Sequence, residues 1–396
     1  MGSGRRSRSS NGTSAPPRWR KRSPRGGTSR RSSSLPSASD WLRPALRGLT
    51  PYVPGEQPGV GRRVIKLNTN ENPYPPSPRV LEAVVRAADA GVRLYPDPEA
   101  TVLRARAAAV YGVPADHVLV GNGSDELIAL LLRATVDPGD RVAFPVPTYS
   151  LYETMVAAQG GTIVGVPFPE DWALPAALGA TGARLTFFCN PNSPSGTLVP
   201  LAEVERLARA VRGLLVVDEA YVDFADPPPA GRPGPSALGL VGRVPNVVVL
   251  RTFSKSFSLA GLRVGLAFAA PELLRGLRTV KDSYNVNRLS LAAAEAALGD
   301  LALVEENLAR IRATRTTLAA GLGRLGFEVL PSQANFVFAR RPGVDVGRLA
   351  AALAARDILV RHFATPRLAD GLRITVGTDD EVAALLDAIA DLGTAA

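Results

Sequence analysis

Residues 251–263 read Arg251-Thr-Phe-Ser-Lys-Ser-Phe-Ser-Leu-Ala-Gly-Leu-Arg263. The stretch follows an apolar run, Val247-Val-Val-Leu250, that reads as a buried strand. It carries Lys255, one of only four lysines (Lys21, Lys66, Lys255, Lys281) in a total of 46 lysines and arginines. A chain that uses arginine almost wherever a cation serves has kept a lysine here. A lysine amine can lose its proton and form a Schiff base, whereas guanidinium stays charged. A lone lysine in a polar loop is more often a plain solvated cation, so the weight falls on what accompanies it.

The chain of 396 residues is long enough for two domains with a large core, and 46% hydrophobic with 21% charged residues is ordinary for a globular protein. No apolar run approaches the roughly 20 residues that span a bilayer. The single cysteine, Cys189, excludes an internal disulfide and fits a reducing compartment, so a cytoplasmic location is expected. Two histidines and one cysteine leave few soft ligands for zinc, and no metal site is expected. The net charge of +10 is local: residues 1–39 hold ten basic and no acidic residues, and the remainder is neutral. That argues against a nucleic-acid-binding surface on the body of the protein. Residues 1–39, rich in Ser, Arg, Gly and Pro, read as a disordered basic tail. A solvated extension, an over-long start, a transit peptide and a polyanion-binding segment all remain open for it.

Beyond the tail, short strands alternate with helices. Strands are expected near 64–67, 118–120, 141–144, 162–166, 184–188, 214–217, 247–250 and 264–269. Helices are expected near 78–90, 99–111, 124–135, 149–159, 201–212 and 271–281, with a short helix and turn over 41–52. The alternation predicts a mostly parallel sheet covered by helices on both faces. Residues 288–322 read as helical, including a long bridging helix. Strands at 327–330, 335–339, 358–361 and 372–376 with helices at 345–355 and 379–392 then read as a smaller α+β unit. The expected division is a tail (1–39), an arm packing with the small domain (40–72), a large cofactor-binding domain (73–287), and a bridging helix with the small C-terminal domain (288–396).

Three further stretches follow strands. Gly121-Asn-Gly-Ser-Asp-Glu126 opens a helix, and its glycines and free N–H groups suit a phosphate. A tight structural turn would use the same residues, and Glu126 breaks the dinucleotide pattern of three glycines. Cys189-Asn-Pro-Asn-Ser-Pro-Ser-Gly196 is a rigid turn presenting polar groups. Leu214-Leu-Val-Val-Asp-Glu-Ala-Tyr221 places Asp218 at a strand end after four apolar residues, where a buried carboxylate needs a cation or several donors. Together with Lys255, Ser254 and Arg263, these loops all lie at carboxyl ends of expected parallel strands, where open α/β sheets bind ligands. A phosphorylated aldehyde with a ring nitrogen would use each of them.

The order and wording of these motifs resemble the fold-type-I pyridoxal-phosphate aminotransferases, and within them the histidinol-phosphate aminotransferase family. The likeness is carried by Leu67-Asn-Thr-Asn-Glu-Asn-Pro73, Tyr95-Pro96, Gly121–Glu126, Pro147-Thr-Tyr149, Asp218–Tyr221, Arg251–Lys255 with Ala260–Arg263, and Leu372–Thr378, and it covers about residue 41 to the end. It implies pyridoxal 5′-phosphate as cofactor and an aspartate-aminotransferase-like fold. Lys255 is then the Schiff-base lysine and proton shuttle, Asp218 the partner of the ring nitrogen, Tyr221 the donor to the ring's 3-oxygen, and Tyr149 the stacking ring. Ser124 and Asp125 (both through backbone N–H), Ser254 and Arg263 hold the phosphate, and Tyr95 reaches it from the partner of a homodimer with shared active sites. Tyr52, Arg361 and Arg373 contact substrate: histidinol phosphate in one half-reaction, glutamate or 2-oxoglutarate in the other. The family often has a second Asn where this chain has Ser193; Asn192 is expected to take its role at the ring oxygen.

The same cofactor residues would serve an aromatic amino acid aminotransferase or a decarboxylase of a phosphorylated amino acid. A non-catalytic regulator binding polyanions through its basic tail is the alternative from another class. His117 reads as a surface or cap residue, His362 as structural, and Cys189 as a small buried residue.

Overall fold

The computed structural model describes residues 37–59, 61–230 and 234–394. Most of the basic tail expected over 1–39 lies outside the described residues. Those up to Arg43 form one unit, a 3₁₀ turn at Ala38–Trp41 in which the Ser37 backbone N–H donates to Asp40 (2.7 Å). Those from Pro44 onward form a second, compact unit.

In chain order, that unit begins with β1 (Ile65–Lys66), α1 (Pro78–Ala87), α2 (Thr101–Tyr111), β2 (Val118–Gly121) and α3 (Ser124–Thr135). It continues with β3 (Arg141–Val146), α4 (Leu151–Gln159), β4 (Thr162–Pro167), β5 (Leu185–Cys189), α5 (Leu201–Ala210) and β6 (Leu214–Asp218). Next come β7 (Val247–Thr252), β8 (Gly265–Phe268), α6 (Pro271–Val280), α7 (Arg288–Ala297) and α8 (Leu301–Arg324). The remainder is β9 (Glu328–Val329), β10 (Phe336–Arg340), α9 (Val346–Ala354), β11 (Ile358–Leu359), β12 (Arg361–His362), β13 (Gly371–Thr375) and α10 (Asp379–Thr394).

Seven strands form the large sheet in the order β2-β8-β7-β6-β5-β3-β4. The strands from β7 to β4 pair in parallel. The central strands β5, β6 and β7 are near-continuous apolar runs, buried along almost their whole length, because helices cover both faces. One buried cluster fills each face, Leu215, Val217 and Phe188 on one and Val216, Phe187 and Leu250 on the other. β8 departs from the expected parallel run: it is antiparallel to both β7 and β2. The link from β7 to β8 contains no helix long enough for a crossover, so the chain turns back beside itself. That returning link holds Lys255. Because β8 is antiparallel to both neighbours, β2 runs with β7, and the loop after Gly121 opens at the same sheet edge as Lys255.

β12-β13-β10-β9 form a second, four-stranded antiparallel sheet with its own core around Phe336, Leu372 and Ile374. The single strand expected over 358–361 is split. β11 pairs in parallel with β1, whereas β12 pairs with β13. This change of partner brings residues 65–70 beside Arg361 and Arg373. Among the described residues, no helix is long and apolar enough to cross a membrane.

Candidate active site

The carboxyl ends of the parallel strands open into a cavity whose other wall comes from residues 52–55, 69–70, β12, β13 and Phe363. Tyr52, Ser124, Asp125, Tyr149, Asp218, Tyr221, Ser254, Lys255, Arg263, Arg361 and Arg373 all line it. Tyr95 and Asn192 do not.

Asp218 ends β6 and is buried. Its carboxylate accepts from the Tyr152 hydroxyl (2.7 Å) and the Ala220 backbone N–H (3.2 Å). It forms no ion pair with a cationic side chain among the described residues. Burial, offset only partly by those two donors, pushes its pKa up to about 6. A buried carboxylate facing a cavity with no cation beside it is a place for a cationic N–H to enter. Tyr152, which orients it, lies one helical turn beyond Tyr149 on α4 and was not singled out from the sequence. Its inward spacing from Tyr149 was the available signal.

Lys255 is held across the cavity. Its Nζ donates to the Thr69 carbonyl (3.1 Å) and lies 5.8 Å from the centre of the Tyr221 ring. Burial, reinforced by the Arg373 guanidinium, lowers its pKa to about 8. The amine is therefore close to neutral reactivity, unlike an ordinary lysine near 10.4. Tyr221 is also buried, and its hydroxyl accepts from Asn70 Nδ2 (3.1 Å). Burial raises its pKa to about 12, so the phenol remains a hydrogen-bond donor at neutral pH. Asn70 in turn has φ 57° and is fixed by Thr375, whose hydroxyl accepts from its N–H (2.9 Å) and donates to its Oδ1 (3.1 Å). Asn70, which lies in the Leu67–Pro73 stretch but was given no role there, also lines the cavity, as does Phe363, which was not named from the sequence.

The anion cradle is built around Gly123, whose φ is +83°. A Cβ there would come within 2.5 Å of the Arg263 guanidinium, and one at Gly265 within 2.6 Å of the Ser124 backbone nitrogen. Only glycine at both positions lets the start of α3, Ser254 and Arg263 converge. Arg263 donates to Ser254 Oγ (3.1 Å) and to the Asp125 carboxylate (3.2 Å), which also accepts from the Tyr149 hydroxyl (3.3 Å). The expectation for Asp125 concerned its backbone N–H; its side chain additionally orients Arg263 and Tyr149.

The opposite wall is cationic and aromatic. Arg373 donates to the Asn68 carbonyl (2.8 Å) and Ser193 Oγ (3.2 Å), and lies 5.4 Å from the Phe336 ring centre and 5.5 Å from that of Phe363. Its Nε is buried without a hydrogen-bond partner. Arg361 donates to the Val53 carbonyl (3.0 Å) and lies 5.3 Å from the Phe363 ring centre. Tyr52 packs edge-on to Tyr149, with ring centres 6.0 Å apart. Neither Arg361 nor Arg373 is ion-paired to a carboxylate among the described residues, so both offer donors to an incoming anion.

The expectation for Asn192 is corrected. Its side chain is buried in the turn, accepting from Thr148 (2.8 Å) and donating to the Pro147 carbonyl (3.2 Å) and Ser195 (3.0 Å). Those contacts use both ends of its amide, and Ser193 faces the cavity instead. Tyr95 is 79% exposed and stacks on Tyr284, with ring centres 4.3 Å apart, away from the cavity of its own chain. Cys189 borders the cavity floor, its Sγ donating to the Pro191 carbonyl (3.2 Å).

The residues present fit a phosphorylated pyridine aldehyde. The amine of Lys255, the cation-free Asp218, the phenol of Tyr221 and the glycine-lined cradle each match one of its functional groups.

Residues 62–389 match the family model for aminotransferase class I and II. The chain is 45% identical over 355 residues to histidinol-phosphate aminotransferase 1 of Nostoc sp., covering 89% of this chain and 98% of that one. It is 46% identical over 366 residues to the histidinol-phosphate aminotransferase of Aromatoleum aromaticum, covering 89% and 99%. Among solved structures, it superposes with a TM-score of 0.80 on histidinol-phosphate aminotransferase from Sinorhizobium meliloti in complex with pyridoxal-5′-phosphate. That match has 29% identity and covers 91% of this chain and 99% of that one. With this family match over residues 62–389, the chain belongs to the class I and II aminotransferases.

Proposed function

We propose that the chain transfers the amino group of L-histidinol phosphate to 2-oxoglutarate, giving imidazole-acetol phosphate and L-glutamate, with pyridoxal 5′-phosphate as cofactor. The observation that carries this is the pairing of two walls in one cavity. One holds Lys255 and the buried, cation-free Asp218; the other holds the unpaired cations Arg361 and Arg373.

When bound, the cofactor supplies an aldehyde that takes up an amine and a ring that withdraws negative charge from the substrate's α-carbon. Asp218 would accept a hydrogen bond from the ring's N–H. A cation there stabilises the carboxylate and draws its pKa down from about 6. Tyr221 would donate to the ring oxygen, Tyr149 would cover one ring face, and Ser254, Arg263 and the N–H groups of Ser124 and Asp125 would hold the phosphate. Asn192 has no direct part in this scheme; Ser193 stands in its place at the cavity. Lys255 would carry the cofactor, and its amine, with its lowered pKa, would serve as the neutral base that takes a proton from the substrate's α-carbon and gives it back. Arg373 and Arg361 bind the anionic arm: a carboxylate on glutamate, a phosphate ester on histidinol phosphate. One site thereby serves two half-reactions in turn, and the kinetics are ping-pong.

A homodimer with shared active sites belongs to the same proposal. Tyr95 is exposed and does not line its own cavity, and Leu81, Val85, Val92, Leu94 and Val102 are exposed in the same stretch of chain, as a face between copies would require. Residues 73–287 act as the cofactor-binding part, with 40–72 and 288–396 supplying the substrate wall, and the enzyme works in the cytoplasm.

Steady-state rates with histidinol phosphate, phenylalanine and tyrosine as donors to 2-oxoglutarate test the substrate. Histidinol phosphate should lead in kcat/KM by about 100-fold or more, the worth of two charge-assisted contacts to a phosphate. A preference for phenylalanine or tyrosine would make it an aromatic aminotransferase. Loss of carbon dioxide from a phosphorylated amino acid, without a keto product, would make it a decarboxylase.

A further inference from the structure

Beneath the cavity floor lies a buried charged cluster that touches none of the cavity surface. Arg251, at the end of β7, places Nη1 at 2.5 Å from Asp223 Oδ1 and Nε at 3.1 Å from Glu219 Oε2. Glu219 also accepts from Ser236 Oγ (2.7 Å) and the Ala237 backbone N–H (2.5 Å). The second oxygen of Asp223 accepts from Ser256 Oγ (2.6 Å). Glu219, Arg251 and Ser256 are each less than 10% exposed.

The positions of these residues matter more than their charges. Glu219 adjoins Asp218, Asp223 lies two residues beyond Tyr221, and Ser256 adjoins Lys255. The cluster therefore ties the loop after β6, which carries two of the cavity-floor groups, to the loop after β7, which carries the amine. Asn72 clasps the same loop from the other side, its Nδ2 donating to the carbonyls of Lys255 (3.2 Å) and Ser256 (3.3 Å). A buried ion cluster is weak as a source of net stability, since apolar residues of like volume often do as well. Its use here is geometric.

We propose that Asp223, with Arg251 and Ser256, is a positioning unit that seats Lys255 in its desolvated place opposite Asp218 and Tyr221. The proposal rests on Lys255 being the reacting amine. Loosening the seat lets water reach the amine, which then titrates more like an ordinary lysine. The informative variant is Ser256→Ala, because it cuts the link between the two loops without changing any charge. Asp223→Asn and the double variant complete a cycle. Asp226→Asn is the control: it weakens the ion pair of Asp226 with Arg315 (2.6 Å), which does not touch the Lys255 loop.

The readout is competitive labelling of the full-length, cofactor-free chain with trace acetic anhydride across pH. Mass spectrometry of the Lys255 peptide is referenced to Lys66 and Lys281. Ser256→Ala should move the Lys255 midpoint upward by about one pH unit, cutting labelling at pH 7 about tenfold. The double variant should go no further than the larger single effect, and Asp226→Asn should leave the midpoint in place. If Ser256→Ala and Asp223→Asn lower the melting temperature as Asp226→Asn does while the Lys255 midpoint stays put, the cluster is merely structural and the proposal is overturned. Because labelling needs neither cofactor nor turnover, this failure is distinct from a failure of Lys255 to carry the transamination, which would appear as full activity in Lys255→Arg.

Discussion

The floor and the outer wall of the cavity are built differently. The floor uses groups at the ends of neighbouring strands: Asp218 closes β6, and Lys255 stands three residues past β7. Asp218 is held by Tyr152 of α4 and the Ala220 N–H close by, and Lys255 reaches over to the Thr69 carbonyl. The wall is assembled across the chain: Arg373 reaches the Asn68 carbonyl, and Arg361 the carbonyl of Val53. The floor is suited to fixed chemistry, because strand ends barely move relative to one another. The wall is suited to choosing substrates, because its cations come from a separate sheet and are held by carbonyls of the segment before α1.

That contrast can be broken by variants on either side. Lys255→Arg keeps a cation and removes the transferable amine, so it should lower kcat by about 10³-fold or more with every amino donor. A loss confined to one donor would mean that Lys255 belongs to the wall. Arg373→Leu should lower kcat/KM about 10- to 100-fold in both half-reactions, the worth of one charge-assisted contact to an anion. The visible absorption of bound cofactor should survive that change, and unaltered kinetics with both substrates would remove Arg373 from the site.

Tyr152→Phe sharpens the floor. It deletes the donor that holds Asp218's pKa down against burial, so the pKa of about 6 moves higher. The acid limb of the rate profile should shift upward, with about a fivefold loss at pH 7 from one lost hydrogen bond. An acid limb unmoved by this change would detach Asp218 from that limb.

The smallest effect is on stability. The folded pKa of Lys255, about 8, lies below its ordinary value of 10.5. Between these pH values the unfolded chain binds more protons than the folded one, so stability rises with pH across that window and is lost as pH falls through about 8. The melting temperature of the cofactor-free protein should therefore climb from pH 8 to 10 by a margin that is absent from Lys255→Met. Equal slopes in the two proteins would show that the amine is not desolvated.

The same division explains what the sequence disclosed. Floor residues lie in short contiguous motifs after apolar runs, so Lys255, Asp218, Ser254 and Arg263 could be named from local pattern, whereas Tyr221 and Ser124 took their roles from family likeness. The parallel sheet was legible for the same reason. β8 was not, because strand direction depends on the connection, and the β7–β8 link has an irregular conformation. Asn192 and Ser193 were exchanged because only the folded turn decides which of two adjacent polar groups faces inward. In that turn the Asn192 N–H donates to the Thr197 carbonyl (2.8 Å) and the Gly196 N–H to the Asn192 carbonyl (2.7 Å). Phe363 and Asn70 joined the site through partners far away in the chain, and no spacing rule reaches them. The arginines of the wall came from family likeness; as isolated residues, nothing distinguished them from surface cations.

Everything proposed for the cavity turns on Lys255 being the amine that holds the cofactor. The direct measurement is borohydride reduction of the protein with pyridoxal phosphate bound, followed by peptide mass mapping of the labelled lysine. The account predicts loss of the visible band and a pyridoxyl label on the Lys255 peptide, with Lys66 and Lys281 unmodified. A label on either of those lysines, or a visible band that persists in Lys255→Ala, would contradict it.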